Sequence, residues 1–68
     1  MRKEEEVREF YVDYVNRHVE ALLDKRVVAA NQYFGAAVAC GRTLGKDLNR
    51  IVQDITVALE FSQKQRQA

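Results

Sequence analysis

The chain has no proline and no tryptophan, one cysteine, one histidine and three glycines, and each scarcity excludes something. A single cysteine, Cys40, cannot form a disulfide within the chain, and no cysteine and histidine cluster is present to hold zinc. With one histidine, His18, neither a catalytic triad nor a two-histidine metal site can be built within one chain. The absence of proline, and glycines confined to residues 35–45, favour long helices joined in that region.

The sequence also lacks a long apolar segment. Its longest stretch of low charge, residues 27–41, is too short and too rich in alanine, asparagine and glutamine to cross a bilayer. The charged start of the chain has no apolar core after it, so a signal peptide is not expected. We therefore expect a soluble, cytoplasmic protein in which Cys40 stays reduced.

What the sequence does contain is apolar residues at helical spacing. Between residues 44 and 62 they alternate at steps of four and three, which predicts an α-helix and fits no strand. Residues 4–40 carry two apolar stripes and a polar side that keeps its phase. We therefore expect one domain over residues 1–68 of the all-α class. It is predicted to be a helical hairpin with a long helix at about 4–40 and a short helix at about 47–63.

The position of the turn between the two helices has two alternatives. A turn within residues 41–46 uses Gly41 as the left-handed residue that ends the first helix, with Thr43 or Asp47 capping the second. A turn at Gly35 instead gives two helices of similar length. We prefer the first alternative, because glycine in a helix interior costs about 1 kcal/mol.

Chain length predicts self-association. A domain of this size buries only about 60% of its unfolded surface, which leaves a lone monomer marginally stable. Because neither a disulfide nor a metal reinforces it, we expect a homodimer in which two hairpins form a four-helix bundle. One apolar stripe of the long helix would face the second copy, and it consists of Val7, Tyr11, Tyr14, Val15, His18 and Leu22. We expect His18 to pack within this contact, with a pH-sensitive dimer contact as the alternative.

Charge is unevenly distributed along the chain. Residues 1–24 carry seven acids against four bases, whereas residues 25–68 carry seven bases against three acids. In an antiparallel hairpin the acidic start would lie near the basic end. The asymmetry therefore predicts pairing inside the protein and does not by itself require an anionic partner.

No motif in the chain carries catalytic, metal or cofactor chemistry, so we expect a protein that is not an enzyme and holds no cofactor. Residues 35–45 are rich in glycine but lack the Gly-Lys-Ser/Thr ending of a phosphate-binding loop. We expect a regulatory or interaction protein, such as an adaptor, inhibitor or regulatory subunit, that presents a helical surface to a partner protein. The expected surface is the flank of the second helix where a valine and a phenylalanine lie one turn apart, namely Arg50, Asp54, Val57 and Phe61.

The alternative function is binding of nucleic acid by the dimer. Arg42, Lys46 and Arg50 recur every four residues and would form a basic ridge if they lie on one helix. No aromatic residue is interleaved with these bases, which argues against stacking on single strands. In size and layout alone the chain resembles small helical-hairpin regulators of bacteria, plasmids and phages, and such a likeness of architecture does not fix function.

Overall fold

The computed structural model describes residues 2–67, and these residues are all-helical, so the predicted fold class is confirmed. Helix α1 spans Arg2–Leu23, α2 spans Val27–Thr43 and α3 spans Leu48–Gln67, with no strand among the described residues. The expected domain boundaries, residues 1 and 68, lie outside the described range. None of these three helices combines the length and the apolar content that crossing a membrane requires.

The predicted continuous helix over residues 4–40 is wrong, because the chain turns around Lys25. This residue adopts the left-handed backbone conformation, with φ of 60°. Its N–H donates to the carbonyl oxygen of Leu22 at 3.1 Å. The N–H of Arg26 donates to the carbonyl oxygen of Ala21 at 2.8 Å. These two bonds form a Schellman motif, in which the left-handed position is usually glycine.

The turn between α2 and α3 is built in the same way. Gly45 is its left-handed residue, with φ of 81°, and the N–H of Gly45 donates to the carbonyl oxygen of Arg42 at 2.9 Å. The N–H of Lys46 donates to the carbonyl oxygen of Gly41 at 2.9 Å. Gly41 is therefore helical, and the prediction that it is the left-handed residue is wrong.

The second turn occupies residues 44–47, which overlaps the predicted interval 41–46 and excludes a turn at Gly35. Asp47 ends the turn as the N-cap of α3, because its Oδ1 accepts a hydrogen bond from the N–H of Arg50 at 2.8 Å. The helix that follows continues to Gln67, beyond the predicted end at residue 63.

Helix α1 is the central element, since it packs against both α2 and α3, and these two contact each other least. Along α1 and α2 the contacts run in opposite order. Nδ1 of His18 lies 2.7 Å from the carbonyl oxygen of Ala30. Tyr11 lies beside Gly41 near the other end of the pair. The two helices are therefore antiparallel. The buried core that all three helices share consists of Tyr11, Val15, Val19, Ala37, Ile51 and Ile55.

Helices α1 and α3 run in the same direction. The hydroxyl of Tyr11 donates to Asp54 at 2.6 Å, and Arg66 donates to Asp24 at 2.8 Å, so residue numbers rise together along the two helices. The acidic first turn of α1 and the basic last turn of α3 therefore lie at opposite ends of a molecule that is 38 Å long. Among the described side chains, the glutamates of the first turn of α1 form no ion pair with the basic end of α3. The ion pair between the acidic segment 1–24 and the basic segment 25–68 joins Asp24 to Arg66.

From residue 48 onward, the apolar stripe predicted over residues 44–62 is one face of α3, and Leu44 lies in the turn before it. Its middle residues, Ile51 and Ile55, are buried against the other helices. Two side chains along its edge, Leu48 and Val52, remain exposed. The three helices thus cover the centre of this stripe and leave apolar surface beside it.

Candidate functional site

An open groove of about 440 Å³ lies between α1 and α3. Its apolar part is formed by Val12 and Val15 from α1 and by Val57 and Ala58 from α3. Val12 is 52% exposed and Val57 is 67% exposed, so the rims of the groove are apolar and solvated. Phe61 is 61% exposed one turn after Val57 on the same side of α3. Apolar side chains left exposed beside a groove are typical of a surface that binds another molecule.

A polar cluster lies at one end of this α1/α3 groove. The hydroxyl of Tyr11 donates to Oδ2 of Asp54 at 2.6 Å, and Nζ of Lys46 donates to the same oxygen at 3.2 Å. Nε of Arg50 lies 3.6 Å from Oδ1 of Asp54. Nζ of Lys46 also lies 5.2 Å from the centre of the Tyr11 ring, within the range of a cation–π contact. The cluster therefore ties α1, the second turn and α3 together.

The electrostatics of the cluster favour a charged carboxylate and a neutral phenol. Burial alone would raise the pKa of Asp54, but the hydrogen bonds from Tyr11 and Lys46 and the nearby positive charges outweigh burial and lower that pKa below its ordinary value. The pKa of Tyr11 is raised, first by burial and then by its hydrogen bond to the carboxylate. At neutral pH each group is therefore in the form that their mutual hydrogen bond requires.

The four residues predicted to bind a partner protein lie together on the flank of α3 that borders the α1/α3 groove. Val57 and Phe61 are exposed. Asp54 is held in the polar cluster, and Arg50 is exposed beside it. The flank thus offers apolar side chains to solvent next to charged groups that the chain itself holds in position.

The six residues predicted to contact a second copy are placed differently. Three of them are buried within this chain, namely Tyr11, Val15 and His18. The other three are partly buried or exposed, namely Val7, Tyr14 and Leu22. The turn at Lys25 is the reason, because it folds α2 back onto this stripe of α1. Half of the predicted dimer contact is therefore used within the chain, whereas Val7, Tyr14 and Leu22 keep accessible surface.

The three bases lie on different elements, so the condition that they share one helix, on which the basic ridge depended, is not met. Arg42 belongs to the last turn of α2, Lys46 to the second turn and Arg50 to the first turns of α3. The turn at Gly45 separates them. Lys46 and Arg50 also contact the carboxylate of Asp54, which offsets part of their charge.

His18 and Cys40 have packing positions. The His18 ring is buried, and its Nδ1 donates to the carbonyl oxygen of Ala30 at 2.7 Å while the ring lies 5.4 Å from that of Phe34. These contacts hold α1 against α2. Cys40 is half-buried at the edge of the core.

Two features of the groove could not be found from the sequence. Val12 belongs to one of the two apolar stripes of residues 4–40, and its polar neighbours four positions away, Arg8 and Asn16, are the only sequence signal that it stays exposed. The bond between Tyr11 and Asp54 joins residues 43 positions apart. Such a bond has no periodic signal in the sequence, because it depends on the direction in which α3 packs along α1.

Among residues 2–67, no group of three or more histidine, cysteine, aspartate or glutamate side chains is placed to hold a metal ion. At the groove, Tyr11 and Lys46 are bonded to Asp54, an arrangement that holds α1, the second turn and α3 together. Comparison of the chain with protein-family models, curated proteins and solved structures gives no match. The function therefore has to be inferred from these side chains alone.

Proposed function

We propose that this chain is a non-enzymatic, cytoplasmic interaction protein that binds a partner protein through the flank of α3 beside the α1/α3 groove. It would act as an adaptor, an inhibitor or a regulatory subunit. One observation carries the proposal: Val57, which lines the groove, is 67% exposed, and Phe61, one turn further along α3, is 61% exposed. An exposed aromatic side chain beside an apolar groove is the kind of residue that dominates binding energy in protein interfaces.

The groove supports helical recognition in particular. Two helices form its walls, and Val12, Val15 and Val57 line it with aliphatic side chains. An amphipathic helix that lays its apolar face into such a groove is a recurrent mode of peptide recognition. The bonds of Tyr11 and Lys46 to Asp54 fix the two walls before binding, which lowers the ordering cost of association.

The homodimer expected from chain length belongs to the same proposal. Exposed apolar residues remain on every helix in addition to those in the groove, among them Phe10, Leu22, Val27, Val28, Leu48 and Val52. This surplus supports self-association, although Tyr11, Val15 and His18 of the α1 stripe predicted for it are buried within the chain. A four-helix bundle would then be built from another pair of faces.

Partner capture from the native host tests the proposal. The wild type, Phe61→Ala and a matched control, Val28→Ala, would each be immobilised and the retained proteins identified by mass spectrometry. Val28 is 73% exposed at the start of α2 and does not line the groove. We expect Phe61→Ala to weaken capture of the partner by about tenfold or more, as removal of an interface aromatic typically does. The Val28→Ala control should capture the partner as the wild type does.

Circular dichroism and thermal unfolding of the same variants show whether a loss of partner capture comes from unfolding or from a missing contact. If Phe61→Ala unfolds the chain, the side chain is structural and the proposed surface is wrong. If the variant is folded and captures the same partners as the wild type, the flank of α3 does not bind them.

Nucleic-acid binding is the second candidate function, supported by the three bases around the second turn. Because Lys46 and Arg50 share the carboxylate of Asp54, Arg42 is the base best placed to meet a phosphate. A gel shift with RNA and DNA at low salt tests this function, since phosphate contacts give an affinity that falls steeply with salt. Absence of a shift at low salt would eliminate it.

A further inference from the structure

The two walls of the α1/α3 groove carry opposite charges along their outer edges. On α1, Glu5 and Glu9 lie one turn apart beside Val12, and neither forms an ion pair with a side chain of residues 3–67. On α3, Arg50 lies on the same flank as Val57, and its side chain is 63% exposed although its Nε lies 3.6 Å from Oδ1 of Asp54. The face is therefore acidic along one edge, apolar in the middle and basic along the other.

The heights of these charges along the molecule are set by the pairing of α1 with α3. Tyr11 bonds to Asp54, an offset of 43 residues, and Asp24 bonds to Arg66, an offset of 42. The same two offsets place Arg50 of α3 level with residue 7 or 8 of α1. This height lies between Glu5 and Glu9, so the basic edge and the acidic edge carry their charges at the same level.

A face with this layout is complementary to itself in only one of two symmetric arrangements. A two-fold axis parallel to the helices places α1 of one copy on α3 of the other and keeps every residue at its own height. Arg50 of each copy then meets Glu5 and Glu9 of its partner. A two-fold axis perpendicular to the helices places α1 on α1 and α3 on α3 and reverses the heights, so no acidic edge meets a basic edge.

We propose that a second copy of this chain covers the α1/α3 groove about a two-fold axis parallel to the helices. Val12, Val57 and Phe61 of the two copies form the apolar centre, and the charged edges pair on both sides of it. Helices α1 and α3 of each copy then make a four-helix layer with α2 outside. The dimer would also regulate partner binding, because a second copy covers Val57 and Phe61. This regulatory role rests on the proposed function.

A charge-swap experiment by analytical ultracentrifugation tests the arrangement. The wild type is expected to form dimers that weaken with added salt, as paired surface charges are screened. A chain with Glu5→Lys and Glu9→Lys, and a second chain with Arg50→Glu, should each self-associate about tenfold more weakly than the wild type. Mixed together, the two variant chains should form a heterodimer of about wild-type strength, because each lysine edge then meets a glutamate.

A chain that carries all three swaps together separates the two axes. With Glu5→Lys, Glu9→Lys and Arg50→Glu in one chain, the parallel axis again places lysines against a glutamate, so self-association should return to about the wild-type strength. The perpendicular axis places like charges against each other in this chain, so its failure to self-associate would overturn the proposal. If the Arg50→Glu chain unfolds because the new glutamate lies near Asp54, the charge swap is made at Glu20 and Lys64 instead. Lys64 is level with residue 21 or 22 of α1 by the same offsets. Lys64→Glu and Glu20→Lys chains should then rescue each other.

Different results would overturn the proposed dimer and the proposed partner site. A wild-type chain that stays monomeric up to about 1 mM overturns the dimer. If Phe61-dependent capture persists in that case, the groove binds a different protein and the proposed function stands. If the dimer obeys the charge swaps but Phe61→Ala leaves partner capture unchanged, the proposed function is wrong and the dimer stands.

Discussion

At the scale of single residues, the approach of α2 to α3 depends on a missing side chain. A Cβ atom on Gly41 would lie 2.6 Å from Cδ1 of Ile51 and 3.0 Å from Cε1 of Tyr11. Ile51 is fully buried, and Tyr11 is held by its bond to Asp54, so neither side chain is free to move aside. Gly35 lies in the same helix with nothing within 4 Å of the position of a Cβ.

Alanine at these two glycines should therefore change stability in opposite directions. We expect Gly41→Ala to lower the free energy of unfolding by about 1–3 kcal/mol, as overpacking of a core does. We expect Gly35→Ala to raise it by up to about 1 kcal/mol, because alanine is the better helix former. Urea unfolding followed by circular dichroism measures both. Equal stabilities of the two variants would show that α2 and α3 are not in close contact at Gly41.

At the scale of helices and turns, the two turns use the same hydrogen bonds with different residues. Gly45 occupies the left-handed position without a steric cost, whereas Lys25 brings a Cβ into it. The folded chain tolerates this because the turn lets α2 cover the α1 stripe of Tyr11, Val15 and His18. A local conformational cost is thus offset by burial elsewhere.

Glycine at position 25 should relieve this cost. We expect Lys25→Gly to raise the free energy of unfolding by about 0.5–1 kcal/mol, the left-handed penalty being partly cancelled by the greater entropy of the unfolded glycine chain. Gly45→Ala is the matched control and should lower stability by about 1 kcal/mol. Thermal unfolding of the two variants measures both changes. A Lys25→Gly chain less stable than the wild type would contradict the turn at this residue.

Sequence reasoning succeeded where the signal is local. Periodic spacing predicted α3, and the capping preference of aspartate identified Asp47 as one of two candidate caps. It failed at Lys25, where the only local signal was that Lys25 and Arg26 interrupt one apolar stripe. A chain without that turn would be a two-helix hairpin. The predictions of which helix faces are buried all depended on that hairpin. The exposed pair Val57 and Phe61 was predictable because it lies off the main stripe of α3.

At the scale of the whole molecule, the cluster around Asp54 links α1, the second turn and α3, and it makes the stability of the fold depend on pH. The pKa of Asp54 is lowered in the folded chain, so its contribution is complete above its unfolded pKa and is lost as pH falls through the folded value. The pKa of Tyr11 is raised, so its contribution is complete below its unfolded pKa and is lost as pH rises through the folded value. The two groups thus limit the stable range from opposite sides.

The stability profile should therefore fall below about pH 4 and again above about pH 10, the ordinary pKa values of the two groups. In Asp54→Asn the acid loss should be smaller than in the wild type, because the asparagine has no proton to take up. In Tyr11→Phe the alkaline loss should be smaller for the corresponding reason. Thermal unfolding midpoints measured across pH for the three chains test this. If Asp54→Asn lost as much stability in acid as the wild type, the bonds of Tyr11 and Lys46 to Asp54 would not be what joins α1, the second turn and α3.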